Sequence, residues 1–406
     1  MSSKSGPWEP GPPGDTARAS WDFADLGMKQ TQAGVHFFHH WTAKFIPQIP
    51  ARVIAEYARP GDVILDPFMG SGTTLIEAAR LGYDAWGTDI NPLAVKIAQA
   101  KTARIDEVSL ADLLQWLQAA AKDPEKHRAS TATLFPDSEK WFREDVARAI
   151  RALRNKARRL EDSTRNFVEI GLSDLLKGMS NARMDQTVPT LPETPRYQDK
   201  KHYWRWVDNE TREINPFQRL RNQLVRMKSA LAVFHAKSAG RAESFLHDAR
   251  DLASLGRKAN LAITSPPYWN AQNYQRMHVL SFKLLGLPAP GPAEIGRRAK
   301  DYLPDMAAVT EQLTRVLTGH FALVIGESKE GIHEAVRDQC LAQGMKLVAT
   351  HMRQVMNQAF FAKAVKNEVI YVFEVRQAMR GSRRCRMTGS LRPAIALQSW
   401  GNEKGP

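Results

Sequence analysis

Residues 62–89 read DVILDPFMGSGTTLIEAARLGYDAWGTD, and the fold class can be inferred from their pattern. An apolar run ends in an acid, Asp66, and is followed by a glycine-containing turn and a stretch with helical spacing that stops at Gly82. A second short run ends at Asp89. Strand, turn, helix and strand form a βαβ unit, in which the two strands are parallel. The sequence therefore predicts an α/β fold with a parallel sheet.

The same texture returns in the second half of the chain. Strands are predicted over 261–264, 321–327 and 367–375, with a helix over 304–317 between the first two. Residues 105–241 differ, because they are strongly charged and mostly helical in pattern. The simplest architecture is one α/β domain that is split by a mostly helical inserted module.

The turn after Asp66 lies at the carboxyl end of a strand, where open parallel sheets bind their ligands. Gly70 and Gly72 let the backbone approach a ligand closely, and Asp89 ends the next strand, where its carboxylate can accept ribose hydroxyls. No lysine follows Gly72, as a phosphate-binding loop requires, and Leu75 stands where a dinucleotide loop has its third glycine. An acid at Asp66 would repel a pyrophosphate but suits the cationic amino group of S-adenosylmethionine (AdoMet). The alternative is a purely structural glycine turn.

Three strings carry a family resemblance: HWTAKFIPQIP (40–50), DVILDPFMGSGTTLIEA (62–78) and GTDINPLA (87–94). They resemble the cofactor-binding half of the amino-group DNA methyltransferases, in which DPFxGSGTT is distinctive. The resemblance implies AdoMet as the cofactor and a Rossmann-like seven-stranded methyltransferase sheet, parallel with an antiparallel final hairpin. The cofactor-binding residues that it implies are Thr42, Lys44, Phe45, Asp66, Pro67, Phe68, Gly70, Ser71, Gly72, Thr73, Asp89, Ile90, Asn91, Asp248 and Ala249.

Two of these assignments have explicit alternatives. The stretch around Lys44 is matched to the methionine carboxylate, and a simple surface lysine is the other interpretation. Asp248, in SFLHDARDL (244–252), is matched to the acid that contacts the adenine amino group. A helix N-cap is its alternative, and His247 stands where the family often has glycine.

The string SPPYWN (265–270) directly follows a predicted strand, and its two prolines fix a rigid loop there. It resembles the catalytic tetrapeptide of the same family, in the version with serine first. An exocyclic base nitrogen is a poor nucleophile, because its lone pair is delocalised into the ring. The Ser265 hydroxyl and the Pro266 carbonyl can accept its hydrogens, and Tyr268 can stack on a flipped base. The candidate catalytic residues are Ser265, Pro266, Pro267 and Tyr268, and the candidate substrate-binding residues are Trp269, Asn270, Tyr203, Trp204 and Trp206.

The resemblance implies direct methyl transfer from AdoMet to the N4 amino group of cytosine in duplex DNA. The alternatives are an N6-adenine DNA methyltransferase, an RNA base amino-group methyltransferase, and a catalytically silent DNA-binding homologue. Carbon-5 cytosine methylation is disfavoured because it needs a thiolate that follows proline. Cys340 follows Gln339 and Cys385 follows Arg384, and two cysteines cannot complete a four-cysteine zinc site.

The formal net charge of +14 and pI near 9.8 favour a polyanionic partner. Basic residues interleave with aromatics over 196–228, which indicates DNA contact, and residues 141–165 are a second basic stretch for which a solvated helix is the alternative. Double-stranded DNA is therefore the expected partner, with a separately encoded cognate restriction endonuclease as a further one. No apolar stretch of ~20 residues and no apolar leader stand in the sequence, which favours a cytoplasmic protein. The family resemblance alone implies that it is nucleoid-associated and of prokaryotic or phage origin.

These inferences divide the chain into five expected segments. They are a flexible N-terminal segment (1–30), the cofactor-binding half of the catalytic domain (31–104), the inserted, mostly helical target-recognition module (105–241), the catalytic-loop half (242–377) and a basic flexible tail (378–406) that contains Arg380, Arg383, Arg384 and Arg386.

Overall fold

The fold is described from a computed structural model. The described residues are 20–41, 44–184, 186–191, 213–267, 274–291, 294–295, 299–355 and 367–375. All of them fall within one compact unit that spans residues 1–376. No helix in the described ranges is long and apolar enough to cross a membrane.

A seven-stranded sheet with the strand order β3-β2-β1-β4-β5-β7-β6 forms the centre of the fold. β7 is antiparallel to both of its neighbours, whereas the pairs among β1 to β5 are parallel. The predicted α/β sheet with an antiparallel final hairpin is thereby confirmed. The strands are β1 (Val63–Asp66), β2 (Asp84–Asp89), β3 (Ala242–Leu246), β4 (Ala259–Thr264), β5 (Leu317–Gly326), β6 (Lys346–Gln354) and β7 (Asn367–Glu374).

Helices cover the sheet and make up most of the described insertion. The helices that precede β3 are α1 (Met28–Thr31), α2 (Gln48–Tyr57), α3 (Thr73–Arg80), α4 (Pro92–Lys101), α5 (Glu107–Lys122), α6 (Pro124–His127), α7 (Ser138–Trp141), α8 (Glu144–Ala157), α9 (Asp162–Met179) and α10 (Pro216–Lys237). Those that follow it are α11 (Tyr274–Met277), α12 (Val279–Leu285), α13 (Ala299–Val316) and α14 (Ile332–Ala342), with 3-10 turns at Gly34–Phe37 and Ala249–Leu255.

Specific residues at the N-termini of α3 and α4 explain where these two helices begin. Gly72 precedes α3 with φ +82°, and a Cβ there would lie 2.9 Å from the Cβ of Ala98 in α4. Glycine is required at this position for its conformation and for the close packing of the two helices. Asn91 caps α4 by accepting from the Leu93 N–H at 3.0 Å, and Pro92 takes the first helical position.

The inserted helices α5 to α10 share one hydrophobic core with the catalytic part of the chain. Phe38 and Ile76, which belong to the catalytic part, pack in the same buried cluster as Leu153 and Leu224 of the insertion. Leu284 of α12, downstream of β4, joins that cluster as well. The insertion is mostly helical, as predicted, but its apolar face is buried against the catalytic part and does not form a separate core.

Several elements differ from their sequence-based bounds. β5 begins at Leu317 and α13 at Ala299, each earlier than predicted. Pro304 was taken as the start of α13, but it lies inside that helix. β6 and α14 were not predicted from the sequence. β7 is buried over six consecutive residues and has a continuous apolar run, whereas β6 alternates between partly and fully exposed positions over most of its length.

Candidate active site

A cavity opens where the carboxyl ends of β1, β2, β3 and β4 meet. This is the edge at which open parallel sheets bind ligands. The lining combines the turn after β1, the end of β2 and the start of the loop after β4. The lining residues are Trp41, Pro67, Phe68, Gly70, Asp89, Ile90, Asn91, His247, Asp248, Ala249, Ser265, Pro267, Glu294 and Ile295.

The turn after β1 is tied to the end of β2 by the Asp89 carboxylate. Oδ2 accepts from the Gly70 N–H at 3.0 Å, and Oδ1 accepts from the Asn91 N–H at 2.8 Å. Burial raises the pKa of Asp89 to about 7, and the nearby charges of Asp66 and Glu294 act in the same direction. Each oxygen can accept further hydrogen bonds, so Asp89 presents a strong acceptor to the cavity near neutral pH.

The carboxylate of Asp66 is not part of the cavity lining and holds three elements together. Its oxygens accept from the Thr74 hydroxyl of α3 at 2.6 Å, the Thr264 hydroxyl of β4 at 2.5 Å and the Phe68 N–H at 3.1 Å. Only 2% of the residue is exposed, and burial raises its pKa to about 6. Asp66 is not among the lining residues, so its predicted contact with AdoMet stays a prediction.

Asp248 lines the cavity and caps a turn at the same time. Its Oδ1 accepts from the Arg250 N–H at 2.9 Å, which begins the 3-10 turn Ala249–Leu255. Its oxygens also pair with the Arg250 guanidinium, the shortest distance being 2.6 Å. Burial would raise the pKa of Asp248, but the hydrogen bonds from Arg250 outweigh it and hold the pKa below its usual range. The cap and the ligand contact are therefore compatible.

The segment that was matched to the methionine carboxylate is partly described. The Lys44 ammonium donates to the His36 carbonyl at 3.1 Å, and burial lowers its pKa to about 8 against the opposing charge of Asp174. Lys44 is thus half-buried, unlike a solvated surface lysine. Phe45 packs in the core beside Ile49 and does not line the cavity.

The remaining residues of the glycine-containing turn lie behind the cavity wall. Ser71 and Thr73 are buried, and Gly72 leads into α3. The fully buried Lys101 of α4 donates to the Ser71 carbonyl at 2.8 Å, and its desolvation lowers its pKa well below the usual value. Sequence pattern gave no sign of this contact, because Lys101 is an ordinary residue of an amphipathic helix.

The charges that line the cavity favour a cationic ligand. Asp89, Asp248 and Glu294 contribute three carboxyl groups, and no lysine or arginine is found among the described lining residues. A pyrophosphate would meet like charge there without a guanidinium or ammonium in the wall. A sulfonium with an amino group and a ribose fits these groups, so the described residues are compatible with AdoMet.

The start of the candidate catalytic loop shares this cavity. Ser265 and Pro267 line it, and Pro266 is buried between them. Twelve residues named in the sequence analysis lie outside the described part of the chain. They are Thr42, Tyr203, Trp204, Trp206, Tyr268, Trp269, Asn270, Arg380, Arg383, Arg384, Cys385 and Arg386.

Four lining residues were missed by the sequence analysis: Trp41, His247, Glu294 and Ile295. Trp41 lies within HWTAKF, so the resemblance offered a signal for it. His247 precedes Asp248 and was noted only as a departure from the family pattern. Glu294 and Ile295 belong to the Pro- and Gly-rich stretch before α13, which has no pattern that indicates a site.

The basic stretch 141–165 folds mainly into α8, and two of its arginines donate hydrogen bonds to backbone carbonyls of the same chain. Arg151 donates to the Thr133 carbonyl, and Arg154 donates to the Leu134 carbonyl at 3.3 Å. Burial lowers the pKa of Arg154, and the charge of Arg158 adds to this effect. In the described residues, none of these three arginines makes an ion pair with a carboxylate. Arg151 and Arg154 lie on one face of α8, and Arg158 directly follows the helix on the same side; these residues are called the basic face of α8.

The described cysteine does not resemble a nucleophile. Cys340 is buried in α14, outside the cavity lining, and burial raises its pKa to about 12. A thiol in such an environment is inert. Within the described ranges, no group of three or more His, Cys, Asp or Glu side chains is arranged to hold a metal ion.

Comparison with known proteins shows similarity between the first part of the chain and known methyltransferases. Residues 4–100 match the N6/N4 methyltransferase family model, which is described as DNA methylase. The chain is 28% identical over 166 residues to the Type II methyltransferase M.MvaI of Kocuria varians, which covers 38% of this chain and 37% of that protein. It is 37% identical over 99 residues to the Type II methyltransferase M.MjaII of Methanocaldococcus jannaschii, covering 24% and 19% of the two chains.

The similarity extends to a methyltransferase with a different substrate. The ribosomal protein L11 methyltransferase of Thermus thermophilus is 38% identical over 87 residues, which cover 21% of this chain and 32% of that protein. The matched stretches thus span less than two fifths of each of these relatives. Short matches of this kind do not decide the substrate.

Proposed function

We propose that this chain, whose residues 4–100 match the DNA methylase family model, transfers a methyl group from AdoMet to an exocyclic amino group of a DNA base. The proposal rests chiefly on one observation: Asp89 and the Gly70 turn line the same cavity as Ser265 and Pro267. One cavity can then hold the methyl donor beside the groups that orient the acceptor nitrogen. We propose N4 of cytosine as the acceptor, from serine at position 265.

The chemistry proposed for the chain is positioning and electrostatics. AdoMet supplies an activated methyl group on a sulfonium. The Ser265 hydroxyl and the Pro266 carbonyl would accept the amino hydrogens and orient the nitrogen lone pair toward that methyl group. Asp89 would accept the ribose hydroxyls, and the carboxyl groups of the cavity would favour the cationic donor.

A mass-spectrometric product assay tests the proposal. The full chain is incubated with unmethylated genomic DNA and methyl-labelled AdoMet, and the DNA is then digested to nucleosides. Label in N4-methylcytosine supports the whole proposal. Label in N6-methyladenine retains the amino-group reaction and contradicts the cytosine assignment. Label that appears only in an RNA control contradicts the DNA assignment, and bound AdoMet without any transfer indicates the silent homologue.

The affinity for AdoMet is expected to rise with pH through about 7, the pKa of Asp89. Ribose hydroxyls donate to the ionised carboxylate, so binding lowers the pKa of Asp89, and affinity is lost as the pH falls through the value of the free protein. Calorimetric titrations at acid, neutral and alkaline pH measure this dependence.

Asp89→Asn is the matched variant for this titration. It should weaken binding at alkaline pH by about 10- to 100-fold, as expected for a lost hydrogen bond to a charged group. It should also flatten the pH dependence, although Lys44, with a pKa of about 8, still titrates nearby. An Asp89→Asn profile as steep as the wild type would exclude Asp89 as the titrating group.

We also propose that duplex DNA lies along the basic face of α8 toward the candidate catalytic loop. Lys283 of α12 lies 5.4 Å from the ring centroid of Phe135, next to the Leu134 carbonyl that Arg154 contacts. The basic face of α8 therefore adjoins the helix that follows the loop. A separately encoded restriction endonuclease with the same target stays a prediction.

The salt dependence of DNA binding should detect this surface. Arg158 and Lys283 make no ion pair with the described residues, so replacing both with glutamine removes two positive charges and, at Lys283, the contact with the Phe135 ring. The slope of log K against log salt is negative, and each lost phosphate contact reduces its magnitude by about 0.9. We expect a decrease of about 2 in a fluorescence-anisotropy titration.

Lys258→Gln with Lys346→Gln is the control for the DNA titration. Both lysines lie at the amino-terminal edge of the sheet, the edge opposite the cavity. If this control lowers the slope as much as Arg158→Gln with Lys283→Gln does, the assignment of the α8 face is wrong.

A further inference from the structure

The indole of Trp41 forms part of the cavity wall against the glycine-containing turn. It lines the cavity, and only 7% of it is exposed. A Cβ at Gly70, which has φ +50°, would lie 3.2 Å from the indole Nε1. The turn and the ring are thus in close contact, so the position of Trp41 sets the width of the cavity beside Gly70.

A second ring, that of His278, stacks on Trp41. Their centroids are 4.8 Å apart and the planes differ by 5°. His278 is buried, and only 7% of the residue is exposed. Among the described residues, its Nε2 has no hydrogen-bond partner. Burying a ring nitrogen without a hydrogen bond costs free energy. We therefore attribute the burial of His278 to the packing of its ring.

His278 lies at the junction between α11 and α12. Its carbonyl accepts from the Phe282 N–H at 3.0 Å, which closes the first turn of α12. The chain that leaves the candidate catalytic loop therefore returns to the cavity wall at this residue. Phe282 packs in one cluster with Trp41, which fixes α12 there.

The insertion holds this stack from the other side. The ring of His39 lies 5.5 Å from that of His278, and its Nε2 pairs with the Ser173 hydroxyl of α9 at 2.9 Å. The Ser281 hydroxyl of α12 approaches the Ser173 carbonyl at 3.5 Å. Two helices that are distant in the chain thus meet at the ring stack.

We propose that the stacked rings of Trp41 and His278 are a positioning element that sets the exit of the catalytic loop against the wall of the cofactor cavity. The proposal rests on the function proposed above. A donor that fills the cavity against Trp41 would restrain the loop through His278, so that the acceptor nitrogen is aligned only when the donor is bound. Methyl transfer is sensitive to such alignment, because a misplacement of about 1 Å can cost about 100-fold in rate.

His278 acts here as a ring and not as an acid or base. Burial, together with the charges of His39 and His40, holds its pKa well below the usual value, so the imidazole is neutral at neutral pH. Phenylalanine offers a similar flat ring without nitrogen atoms and should replace it in function.

The test compares His278→Ala and His278→Phe in the full chain. We expect His278→Ala to lower kcat by about 10- to 100-fold with a smaller change in KM for AdoMet, and His278→Phe to restore kcat. Hydrogen exchange supplies a second readout. AdoMet should slow exchange over 274–285 in the wild type and in His278→Phe, but not in His278→Ala. His278→Gln, which lacks the ring, substitutes for the alanine variant if that variant does not fold.

A second histidine–tryptophan stack provides the control. His351 on β6 stacks on Trp21 with centroids 4.7 Å apart, and neither residue lines the cavity. If His351→Ala lowers kcat as much as His278→Ala does, the effect is one of general stability and the proposal is wrong. A His278→Phe variant as inactive as His278→Ala would overturn it too. A wild-type chain that binds no AdoMet would overturn the proposed function itself, and the stack proposal with it.

Discussion

Replacing Ser265 with alanine is expected to lower kcat for methyl transfer by about 100- to 1,000-fold, the usual effect of removing one polar group that stabilises a transition state. Ser265 lines the cavity at the end of β4, beside the donor site. Its hydroxyl is proposed to hold an amino hydrogen of the base, an interaction that strengthens as the nitrogen becomes pyramidal. The donor-binding groups are untouched, so the affinity for AdoMet should stay close to that of the wild type.

Steady-state kinetics and calorimetry of the same preparations separate these two effects. Ser229→Ala is the matched control, since Ser229 lies on the exposed surface of α10 and bonds only to the Val225 carbonyl of its own helix. A Ser265→Ala variant with wild-type kcat would contradict the proposed role. A parallel loss of AdoMet affinity would instead indicate that Ser265 contacts the donor.

Replacing Asp66 with alanine is expected to lower the free energy of unfolding by about 3–5 kcal/mol. The substitution removes the shared acceptor of the Thr74 and Thr264 hydroxyls and of the Phe68 N–H, all of which are at buried or half-buried positions. Each buried donor left without a partner costs about 1–3 kcal/mol. Urea denaturation monitored by circular dichroism measures the change.

Asp66→Asn separates this structural role from cofactor binding. Its side-chain carbonyl can accept from Phe68 and Thr264, and its amide can donate to the Thr74 hydroxyl. Burial raises the pKa of Asp66 to about 6, so the folded protein holds the protonated carboxyl group more tightly than the unfolded chain does. The stability that this group contributes at acid pH is therefore lost as the pH rises through about 6. Asp66→Asn should remove this loss and keep the affinity for AdoMet.

A large loss of AdoMet affinity in a stably folded Asp66→Asn variant would show that Asp66 binds the donor, as the sequence analysis expected. Retained affinity would assign the donor contact to the carboxyl groups that line the cavity, which are Asp89, Asp248 and Glu294.

The sequence by itself determined the order of the sheet elements around residues 62–89 and the positions of the two loops. These features are local. Apolar runs, Gly70, Gly72 and the two prolines after Ser265 act on backbone conformation within a few residues, so their effect can be predicted without the rest of the chain. The parallel pairing of β1 and β2 agrees with this local pattern, because parallel neighbours need a crossover connection, which α3 provides.

Only the tertiary structure decided which side chains meet. The Asp66 carboxylate is turned to Thr264, which is 198 positions away, and Trp41 is covered by His278. Glu294 enters the cavity from a stretch without a pattern. Such contacts depend on how helices and strands pack in three dimensions, and pairing in a buried, low-dielectric interior then determines where each polar group points.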